Sequence, residues 1–411
     1  MKIINLTETQ YKNYSRLQKN QNFGQTVEFS LIHENIHKRK LFLGLVDENN
    51  NIHAATLILI KDISPLIKEA IAPNGYLIEY QNKELLKTFT EELKKYLLKE
   101  KITYLITNPM FKLKVFNKSN TLIENNQFIY DYLIELGYRN LGYHSEFEKY
   151  DVILENYHSS EDIYKNFNRN TKRNIKEAIN LGVTLKKETP NNLPTLYNIF
   201  KKKTTKSLSY YQNLFNVYQS NDNKMEIFSA TLSPHKFLIN SKKLYEQELK
   251  KNEIIHTNFT KTNYHITEKK LNKRITSDNI LEKYHERLEY AIKLDQKYQE
   301  PITLGTCIII RNNREIYFLM DGYNENYRII HSTHILKWAI IKKYYSIGYR
   351  IFNLGEIHQQ YYNKNNKYYG QYLYKIGFGG NIIEYSPNLL LIINKPVYNA
   401  YNKLKLIKLA K

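Results

Sequence analysis

The sequence predicts a mixed α/β (α+β) protein of more than one domain, with a helical hairpin inserted in its second half. Short β-branched or aliphatic runs alternate with amphipathic helical segments over residues 1–150, and the same alternation resumes after residue 300. Residues 235–299 are instead highly polar, with few glycines and no strand pattern. A chain of 411 residues is long enough for two or three domains with hydrophobic cores.

The N-terminal segment contains several elements with a clear pattern. Residues 41–46 and 54–60 are aliphatic runs on either side of a turn rich in Asp and Asn, which predicts a β-hairpin. Residues 83–100 carry apolar side chains at intervals of three and four, which predicts a helix. A strand is predicted at 104–107, and Gly137 is expected to end a further helix.

A second α/β unit is predicted over residues 151–234 and 300–387, and the last segment, 388–411, is expected to pack back on the first unit. The periodicity predicts one helix over residues 163–181 with an apolar face. The opposite face carries a basic ridge of four side chains: Arg169, Lys172, Arg173 and Lys176. This ridge is either a solvated helix face or a contact surface for an anionic partner.

The polar segment 235–299 is interpreted as an antiparallel helical-hairpin (coiled-coil) arm inserted into the second unit. Its second half carries a 3-4 spacing from Leu281 to Tyr298 in which every position except Asp295 is apolar or aromatic. Residues 276–279, Thr-Ser-Asp-Asn, supply a turn and an N-cap, so the second helix is expected to begin after them. The elements predicted after the arm are a hairpin (306–310 and 316–320), a helix (334–346) and a strand (350–354).

Composition limits the classes of partner and site. The 61 Lys and Arg against 40 Asp and Glu give a formal net charge of +21, which favours an anionic partner, although AT-rich codon bias also enriches lysine. The only cysteine, Cys307, excludes an intramolecular disulfide and a thiolate zinc cluster, and a reducing, cytoplasmic setting is expected. No metal site is predicted. No apolar run approaches the length of a signal peptide core or a membrane span, so any membrane contact is expected to be peripheral.

Several short motifs follow one another in a fixed order along nearly the whole chain: Phe23-x-Gln25-Thr26-x-x-Phe29, Pro73-Asn74-Gly75-Tyr76, Asn108-Pro109, the helix from Asn170 to Lys176, and Tyr374-Lys375-Ile376-Gly377-Phe378-Gly379-Gly380. Together they resemble the FemABX family of peptidoglycan bridge aminoacyltransferases. The resemblance implies two domains of the GNAT (acyl-CoA N-acyltransferase) fold, here without coenzyme A or another cofactor. It also implies an aminoacyl-tRNA as donor and a muropeptide precursor, lipid-linked or nucleotide-linked, as acceptor.

Aminoacyl transfer needs a fixed cation near the ester carbonyl oxygen, which becomes an oxyanion when the amine attacks. Lys375 is the candidate, because in the family the lysine before the Gly-Phe-Gly-Gly element stabilises the transition state. A strand over residues 372–376 is expected to present this side chain opposite its neighbours. Without the resemblance, Lys375 would be interpreted as an ordinary surface lysine. No general base is assigned from the sequence.

The resemblance also implies contacts to the acceptor, and here the chain departs from the family pattern. Lys206 stands where the family has an arginine, so the grip on phosphate is expected to differ. His33 falls where some members have a phosphate-binding lysine, and Asn74 replaces an arginine. The other implied substrate contacts are Tyr210 or Tyr211, Phe378 and Gly379. For the tyrosines, core packing is the alternative interpretation.

The function predicted from the sequence is therefore transfer of an amino acid from aminoacyl-tRNA to the stem peptide of a peptidoglycan precursor. The basic ridge and the lysine-rich arm are expected to contact tRNA phosphates. Two alternatives stay open: a non-catalytic paralogue that binds tRNA or muropeptide, and a GNAT-like N-acyltransferase acting on another amine. The amphipathic segment 396–411 is expected to dock on the first domain or to lie on the inner membrane leaflet.

Overall fold

The mixed α/β prediction is confirmed by the computed structural model, which describes residues 1–19, 21–33, 37, 39–145, 148–220, 223–260 and 267–409, with backbone alone for 404–409. The strands are β1 (Lys2–Asn5), β2 (Arg39–Val46), β3 (Ile52–Ser64), β4 (Ile67–Ala72), β5 (Tyr104–Thr107), β6 (Lys112–Phe116), β7 (Leu122–Asn125), β8 (Tyr138–Gly142), β9 (Tyr150–Leu154), β10 (Thr184–Lys187), β11 (Lys224–Leu232), β12 (Ile302–Arg311), β13 (Glu315–Tyr323), β14 (Ile351–Ile357), β15 (Asn381–Tyr385) and β16 (Asn388–Ile392). The α-helices are α1 (Glu8–Leu17), α2 (Val27–Ile32), α3 (Lys83–Lys99), α4 (Gln127–Glu135), α5 (Ser160–Asn166), α6 (Arg169–Asn180), α7 (Leu193–Phe200), α8 (Leu208–Val217), α9 (Pro234–Thr260), α10 (Glu268–Lys297), α11 (Ser332–Ser346), α12 (Tyr369–Ile376) and α13 (Lys395–Leu409).

The described strands form two sheets. The first has the order β1-β2-β3-β4-β5-β16-β8, and the second has the order β10-β11-β12-β13-β14-β9-β15-β6-β7. Residue 150 does not separate the sheets, because the hairpin β6–β7 joins the second sheet and β16 lies between β5 and β8 in the first. The chain thus crosses between the sheets on both sides of residue 150.

The centre of each sheet has the same plan. In the first sheet β2, β3 and β4 are antiparallel neighbours, and the helix α3 then leads to β5, which pairs with β4 in parallel. In the second sheet β11, β12 and β13 are antiparallel neighbours, and α11 then leads to β14, which pairs with β13 in parallel. The hairpins, helices and strands predicted for these regions are confirmed.

The motifs near residues 25, 74 and 108 meet at one corner of the first sheet. Gln25 is fully buried, and its side-chain amide donates to the Pro73 oxygen at 2.6 Å and accepts from the Leu57 amide at 2.8 Å. Asn108 accepts from the main-chain amide of Asn74 at 2.7 Å and donates to its side-chain oxygen at 3.0 Å. These motif side chains therefore satisfy buried backbone groups where β4 and β5 end.

The segment predicted as one helix over 163–181 is two helices. Phe167 leaves the helical conformation, and Asn168 caps α6 through its side-chain oxygen, which accepts from the Thr171 amide at 2.7 Å. The Asn168 amide in turn donates to the Gly377 oxygen at 2.9 Å. The prediction of a continuous helix was wrong because periodicity does not register an asparagine that serves as an N-cap.

In the polar segment, α9 and α10 lie side by side and antiparallel. Tyr245 contacts His285, and nearer the tip Asn252 donates to Asp278 at 2.7 Å. The predicted start of the second helix after residue 279 was wrong, since α10 begins at Glu268. Residues 276–279 lie inside α10, where Ser277 and Asp278 accept hydrogen bonds from Asn252 of α9.

The C-terminal helix α13 begins next to the first sheet. Tyr398 and Tyr401 contact the Tyr104 ring of β5, with centroid distances of 5.5 and 6.3 Å. The later apolar and basic side chains of this segment lie outside the described residues. None of the described helices combines the length and the apolar composition that crossing a bilayer would require.

We expect Gln25→Leu to lower the free energy of unfolding by about 3 kcal/mol or more, because it leaves several buried polar groups without partners. The matched control is Tyr11→Phe, which removes the 2.9 Å bond from the Tyr11 hydroxyl to the Gln25 side-chain oxygen and is expected to cost about 1 kcal/mol. Urea denaturation of both variants measures the difference. Equal losses would contradict the role assigned to the Gln25 amide.

Candidate active site

A wedge opens between two neighbouring strands of the second sheet. β13 and β14 run parallel, and their pairing ends with Tyr317 opposite Asn353. β13 continues to Tyr323 and β14 to Ile357, but in the described chain no further pairing joins the two strands. The end of β13 still pairs with β12, and the end of β14 still pairs with β9. We call the space between the two diverging ends the wedge.

The side chain of Lys375 reaches this wedge from α12. Its Nζ donates to the main-chain oxygen of Glu356 at 2.7 Å. A Cβ on Gly355 would lie 3.2 Å from that Nζ and 3.4 Å from the Phe318 oxygen, and Gly355 has a φ of +84°. Glycine is therefore required here, both for the backbone conformation and for the space that the ammonium group occupies.

The prediction of a strand over residues 372–376 was wrong, because these residues form the second half of α12. A five-residue window is too short to separate a strand from a helix end by periodicity. In the helix, Tyr372 and Ile376 are four residues apart and pack together against the core, and Lys375 is 9% exposed. The interpretation of Lys375 as an ordinary surface lysine does not fit this burial.

The surroundings of Lys375 make its ammonium form less stable than in water. Burial, and then the charge of Lys337, lower the pKa of Lys375 to about 8, against the opposing effects of Asp321, Asp151 and Glu356. The side chain is still mostly protonated at pH 7. It is thus a desolvated cation that can stabilise a negative charge strongly.

An ion pair between a buried lysine and a partly exposed aspartate lies beside Lys375. Lys337 of α11 is 1% exposed, and its Nζ lies 2.5 Å from Oδ2 of Asp321 on β13 and 4.4 Å from the centre of the Phe318 ring. Burial raises the pKa of Asp321, but Lys337 and Lys203 outweigh that effect and hold the pKa below its usual value. The pair places one fixed positive and one fixed negative charge next to the wedge.

A β-bulge explains how Asp321 comes to face α11. Phe318 pairs with Ile309 and Asp321 pairs with Cys307, so two steps along β12 match three steps along β13. Phe318 and Asp321 therefore point to the same face of the sheet, although regular alternation would place them on opposite faces.

Carboxylates lie on the β9 side of the wedge. Asp151 is buried and accepts from the Asn353 side-chain amide at 2.8 Å. Burial raises the pKa of Asp151, against the effects of Asn353 and Lys375. Glu356 is exposed, and its carboxylate interacts electrostatically with the Asp151 carboxylate and with the Lys375 ammonium group. Lys375 and these two carboxylates thus border one gap.

Two residues expected to contact substrate are core residues instead. Phe378 is fully buried against Phe167 and His334. Gly379 is buried with a φ of +81°, and a Cβ there would lie 2.5 Å from the Asn166 oxygen. Packing thus accounts for both residues, and substrate contact at Phe378 and Gly379 stays a prediction.

The structure brings Lys206 together with one of the two candidate tyrosines. Lys206 is exposed, and its Nζ lies 5.1 Å from the centre of the partly buried Tyr210 ring. Tyr211 is instead a core residue, 2% exposed, whose hydroxyl donates to Thr204 at 2.9 Å. Of the two alternatives, Tyr210 is the ring that a ligand can reach.

His33 lies on the N-terminal side of the same region. It follows α2, and its ring stacks on Phe29 with a centroid distance of 4.3 Å. Helix α2 packs against α8, which carries Tyr210. His33 and Tyr210 therefore border one surface, but no direct contact joins them in the described chain.

A row of aromatic rings connects this surface to the wedge. Phe23 stacks between Tyr218, at 5.3 Å, and Tyr317 of β13, at 6.4 Å. The Tyr317 hydroxyl interacts electrostatically with both Glu356 and Tyr210. Tyr317 thus lies between the Lys206–Tyr210 surface and the wedge.

The four side chains of the basic ridge lie along α6. Arg169, Arg173 and Lys176 are exposed, and Lys172 is partly buried with its Nζ donating to the Lys165 oxygen at 2.7 Å. The helix is anchored by its opposite face. The ridge is therefore available to a large anionic partner.

Sequence reasoning missed Lys337, Asp321, Asp151 and Glu356. A signal was present for Lys337, a lone lysine inside the apolar run Ile335-Leu336-Lys337-Trp338-Ala339, since a charged residue on a core face needs a partner. The bulges that position Asp321 and Glu356 leave no comparable signal. Over the described residues, no group of three His, Cys, Asp or Glu side chains is arranged to hold a metal ion.

Comparisons with known proteins agree with this architecture. The model of the FemAB family matches residues 6–406. Aminoacyltransferase FemA of Staphylococcus aureus (strain MRSA252) is 24% identical over 424 residues, which cover 99% of each chain. The crystal structure of FemX superposes with a TM-score of 0.73 at 15% identity, over 97% of this chain and 99% of that chain. The last similarity shows that the fold is shared.

We expect Lys337→Met to lower the free energy of unfolding by about 2–3 kcal/mol, because it leaves the Asp321 charge without its nearest partner. The loss is smaller than for a fully buried pair, since Asp321 keeps partial exposure. The control is the double variant Lys337→Met/Asp321→Leu, which removes both charges and is expected to recover most of the loss. Additive losses in chemical denaturation would contradict a direct ion pair.

Proposed function

Because the chain belongs to the FemAB family, we propose that it is an aminoacyltransferase of cell-wall synthesis. It transfers an amino acid from aminoacyl-tRNA to the amine of a stem peptide on a peptidoglycan precursor. The observation that carries the proposal is the desolvated ammonium group of Lys375, held in the wedge by the Glu356 main-chain oxygen. The relatives named aminoacyltransferase support the reaction class.

Lys375 stabilises the charge that develops during the reaction. When the acceptor amine attacks the ester carbonyl, the carbonyl oxygen becomes an oxyanion, and a preorganised cation near it lowers the barrier. Lys375 is fixed by a hydrogen bond and by burial, so little reorganisation is needed at that moment. The neighbouring ion pair of Lys337 and Asp321 holds two charges in fixed positions, so the electrostatic field at Lys375 changes little during the reaction.

Lys206 and Tyr210 bind the acceptor. The exposed ammonium of Lys206 neutralises precursor phosphate, and Tyr210 offers a ring face and a hydroxyl beside it. A lysine binds phosphate as a point charge and lacks the two-pronged geometry of arginine. His33, at the edge of the same surface, supplies a further polar contact.

The basic ridge of α6 binds the tRNA donor. Four cationic side chains on one helix contact a phosphate backbone without reading its sequence. In this proposal the two sheets with their helices are two GNAT-like domains, which their shared central plan supports. Helices α9 and α10 form the coiled-coil arm, and the enzyme works in the cytoplasm, at the inner face of the membrane when the acceptor is lipid-linked.

We expect Lys375→Met to reduce kcat by about 10²- to 10³-fold, the usual cost of removing one oxyanion contact. The assay measures the mass gain of a lipid-linked or nucleotide-linked precursor incubated with charged tRNAs. The control is Lys364→Met, which removes an exposed lysine from the loop before α12 and is expected to leave transfer unchanged. Equal transfer by wild type and Lys375→Met would refute the role of Lys375.

The same variant has an expected effect on stability. The pKa of Lys375 is lower in the folded protein than the ordinary 10.5, so the folded state binds this proton less tightly than the unfolded chain. The lysine therefore disfavours folding below pH 8, and this penalty disappears as the pH rises from about 8 toward 10.5. Lys375→Met should keep or raise the midpoint of thermal unfolding at pH 7, and a lower midpoint would show a structural role.

Two other functions have distinct outcomes in the transfer assay. Retained tRNA binding with no transfer from any charged tRNA would indicate a non-catalytic paralogue. Transfer from coenzyme A thioesters would indicate a GNAT-like N-acyltransferase that acts on another amine.

For the ridge, we expect the quadruple change of Arg169, Lys172, Arg173 and Lys176 to Gln to weaken tRNA binding. The slope of log affinity against log salt concentration should fall by about 3, since each lost phosphate contact contributes about 0.7–0.9. The matched control changes Lys83, Lys87, Lys95 and Lys99, an exposed row on α3, to Gln. If both variants change the slope equally, net charge rather than the ridge determines binding.

A further inference from the structure

Glu356 faces away from the hydrophobic core because of a bulge in β14. In the pairing of β14 with β9, Asn353 matches Ile153 and Glu356 matches Asp151, so two steps along β9 correspond to three steps along β14. The bulge centres on Gly355, whose amide is bound by the Asn353 side-chain oxygen at 2.8 Å. Asn353 and Glu356 therefore share one face, whereas regular alternation would turn Glu356 into the core.

That face is the one that carries Tyr317. Tyr317 pairs directly with Asn353 in the parallel ladder, so both side chains point to the same side of the sheet. Phe23 and the Lys206–Tyr210 surface lie on this side. Glu356 is exposed there, next to the proposed acceptor surface.

Lys375 approaches the same wedge from the other face. Tyr372 and Ile376 of α12 pack against the core cluster that also contains Phe352 and Leu354 of β14. The Lys375 ammonium then reaches the main-chain oxygen of Glu356 through the gap left by Gly355. An ester carbonyl placed in the wedge would therefore have a cation on one side and a solvent-accessible carboxylate on the other.

We infer that Glu356 is the general base that accepts the proton of the attacking amine. This inference rests on the proposed function. The amine nitrogen forms a bond to the ester carbonyl carbon and passes its proton to the Glu356 carboxylate. The intermediate then collapses with cleavage of the carbon–oxygen bond to the tRNA ribose, and Glu356 returns the proton to the departing ribose oxygen. The products are an amide and a free hydroxyl, and both Glu356 and Lys375 end in their initial protonation states.

The charges around Glu356 suit this role. Partial desolvation in the wedge, and then the charge of Asp151, raise the pKa of Glu356 to about 7, with Lys375 opposing and Glu148 adding to the rise. Tyr317, whose pKa lies well above its ordinary value, faces it as a neutral hydroxyl. A base with a pKa near the working pH accepts and returns a proton with the smallest total cost.

The test compares wild type, Glu356→Gln and Glu356→Asp in the transfer assay at several pH values. We expect Glu356→Gln to lower kcat by about 10²- to 10⁴-fold with little change in KM, and Glu356→Asp to retain part of the activity. The ratio of wild-type to Glu356→Gln activity should decrease as the pH is lowered past about 7, because the wild-type carboxylate becomes protonated there. Using the ratio removes the ionisation of the acceptor amine, which is common to both enzymes.

Two further variants separate Glu356 from its neighbours. Glu315→Gln is the matched control, because burial also raises the pKa of Glu315 to about 7, but it lies where β13 and β14 are still paired. It should leave both kcat and the pH dependence unchanged. Asp151→Asn should move the fall in the ratio to lower pH by about one unit, since it removes a negative charge that faces Glu356.

The outcomes distinguish the two proposals. If wild type transfers but Glu356→Gln is equally active, or if the ratio does not depend on pH, Glu356 is not the base and the proposed function stands. If Glu315→Gln rather than Glu356→Gln removes the pH dependence, the inference is also wrong. If wild type transfers no amino acid from any charged tRNA, the proposed function fails and the inference fails with it.

Discussion

The hydrogen bond from Lys375 Nζ to the Glu356 main-chain oxygen is the interaction on which the arrangement of the site depends. It forms only because β13 and β14 separate after Tyr317 and because Gly355 has no side chain to fill the gap. The same glycine adopts a positive φ and forms the bulge that turns Glu356 outward. One backbone irregularity therefore positions both the cation and the carboxylate of the wedge, which explains why they lie so close without forming a simple ion pair.

Two lysines beside one gap would be unfavourable without compensation. Lys337 is paired with Asp321, so its charge is balanced nearby, while the hydrogen bond of Lys375 goes to an uncharged main-chain oxygen. Burial, and then the charge of Lys337, therefore lower the pKa of Lys375. A core built for stability alone would place apolar residues at these positions. The cost is consistent with a group that must be desolvated before substrate arrives, as proteins commonly give up stability at functional sites.

The sequence predicted the elements with long or repeated patterns and failed where one residue decides the geometry. The helix α3 and the hairpins β2–β3 and β12–β13 have periodicities that tertiary packing does not override. The break at Asn168, the continuous helix through residues 276–279 and the helical position of Lys375 each depend on a local cap or a partner on a distant element. Lys375 was identified by resemblance alone. Its partners were not, because bulges bring them together and bulges have no residue signature in this chain.

The two sheets use the same topological position in opposite ways. In the first sheet β4 and β5 stop where their parallel pairing ends, and the amides of Asn74 and Asn108 join across that point. In the second sheet the equivalent strands β13 and β14 continue beyond their last shared pair, and Lys375 occupies the gap between them. Polar groups left open in this way cost free energy unless a ligand or a charge satisfies them. The closed position fits a supporting role for the first sheet, because the turn that begins at Phe23 is bound to this sheet through Gln25 and places the Phe23 ring against Tyr317. The motif residues of the first sheet therefore have a structural role, whereas the gap in the second sheet fits the binding of a reacting group beside Lys375.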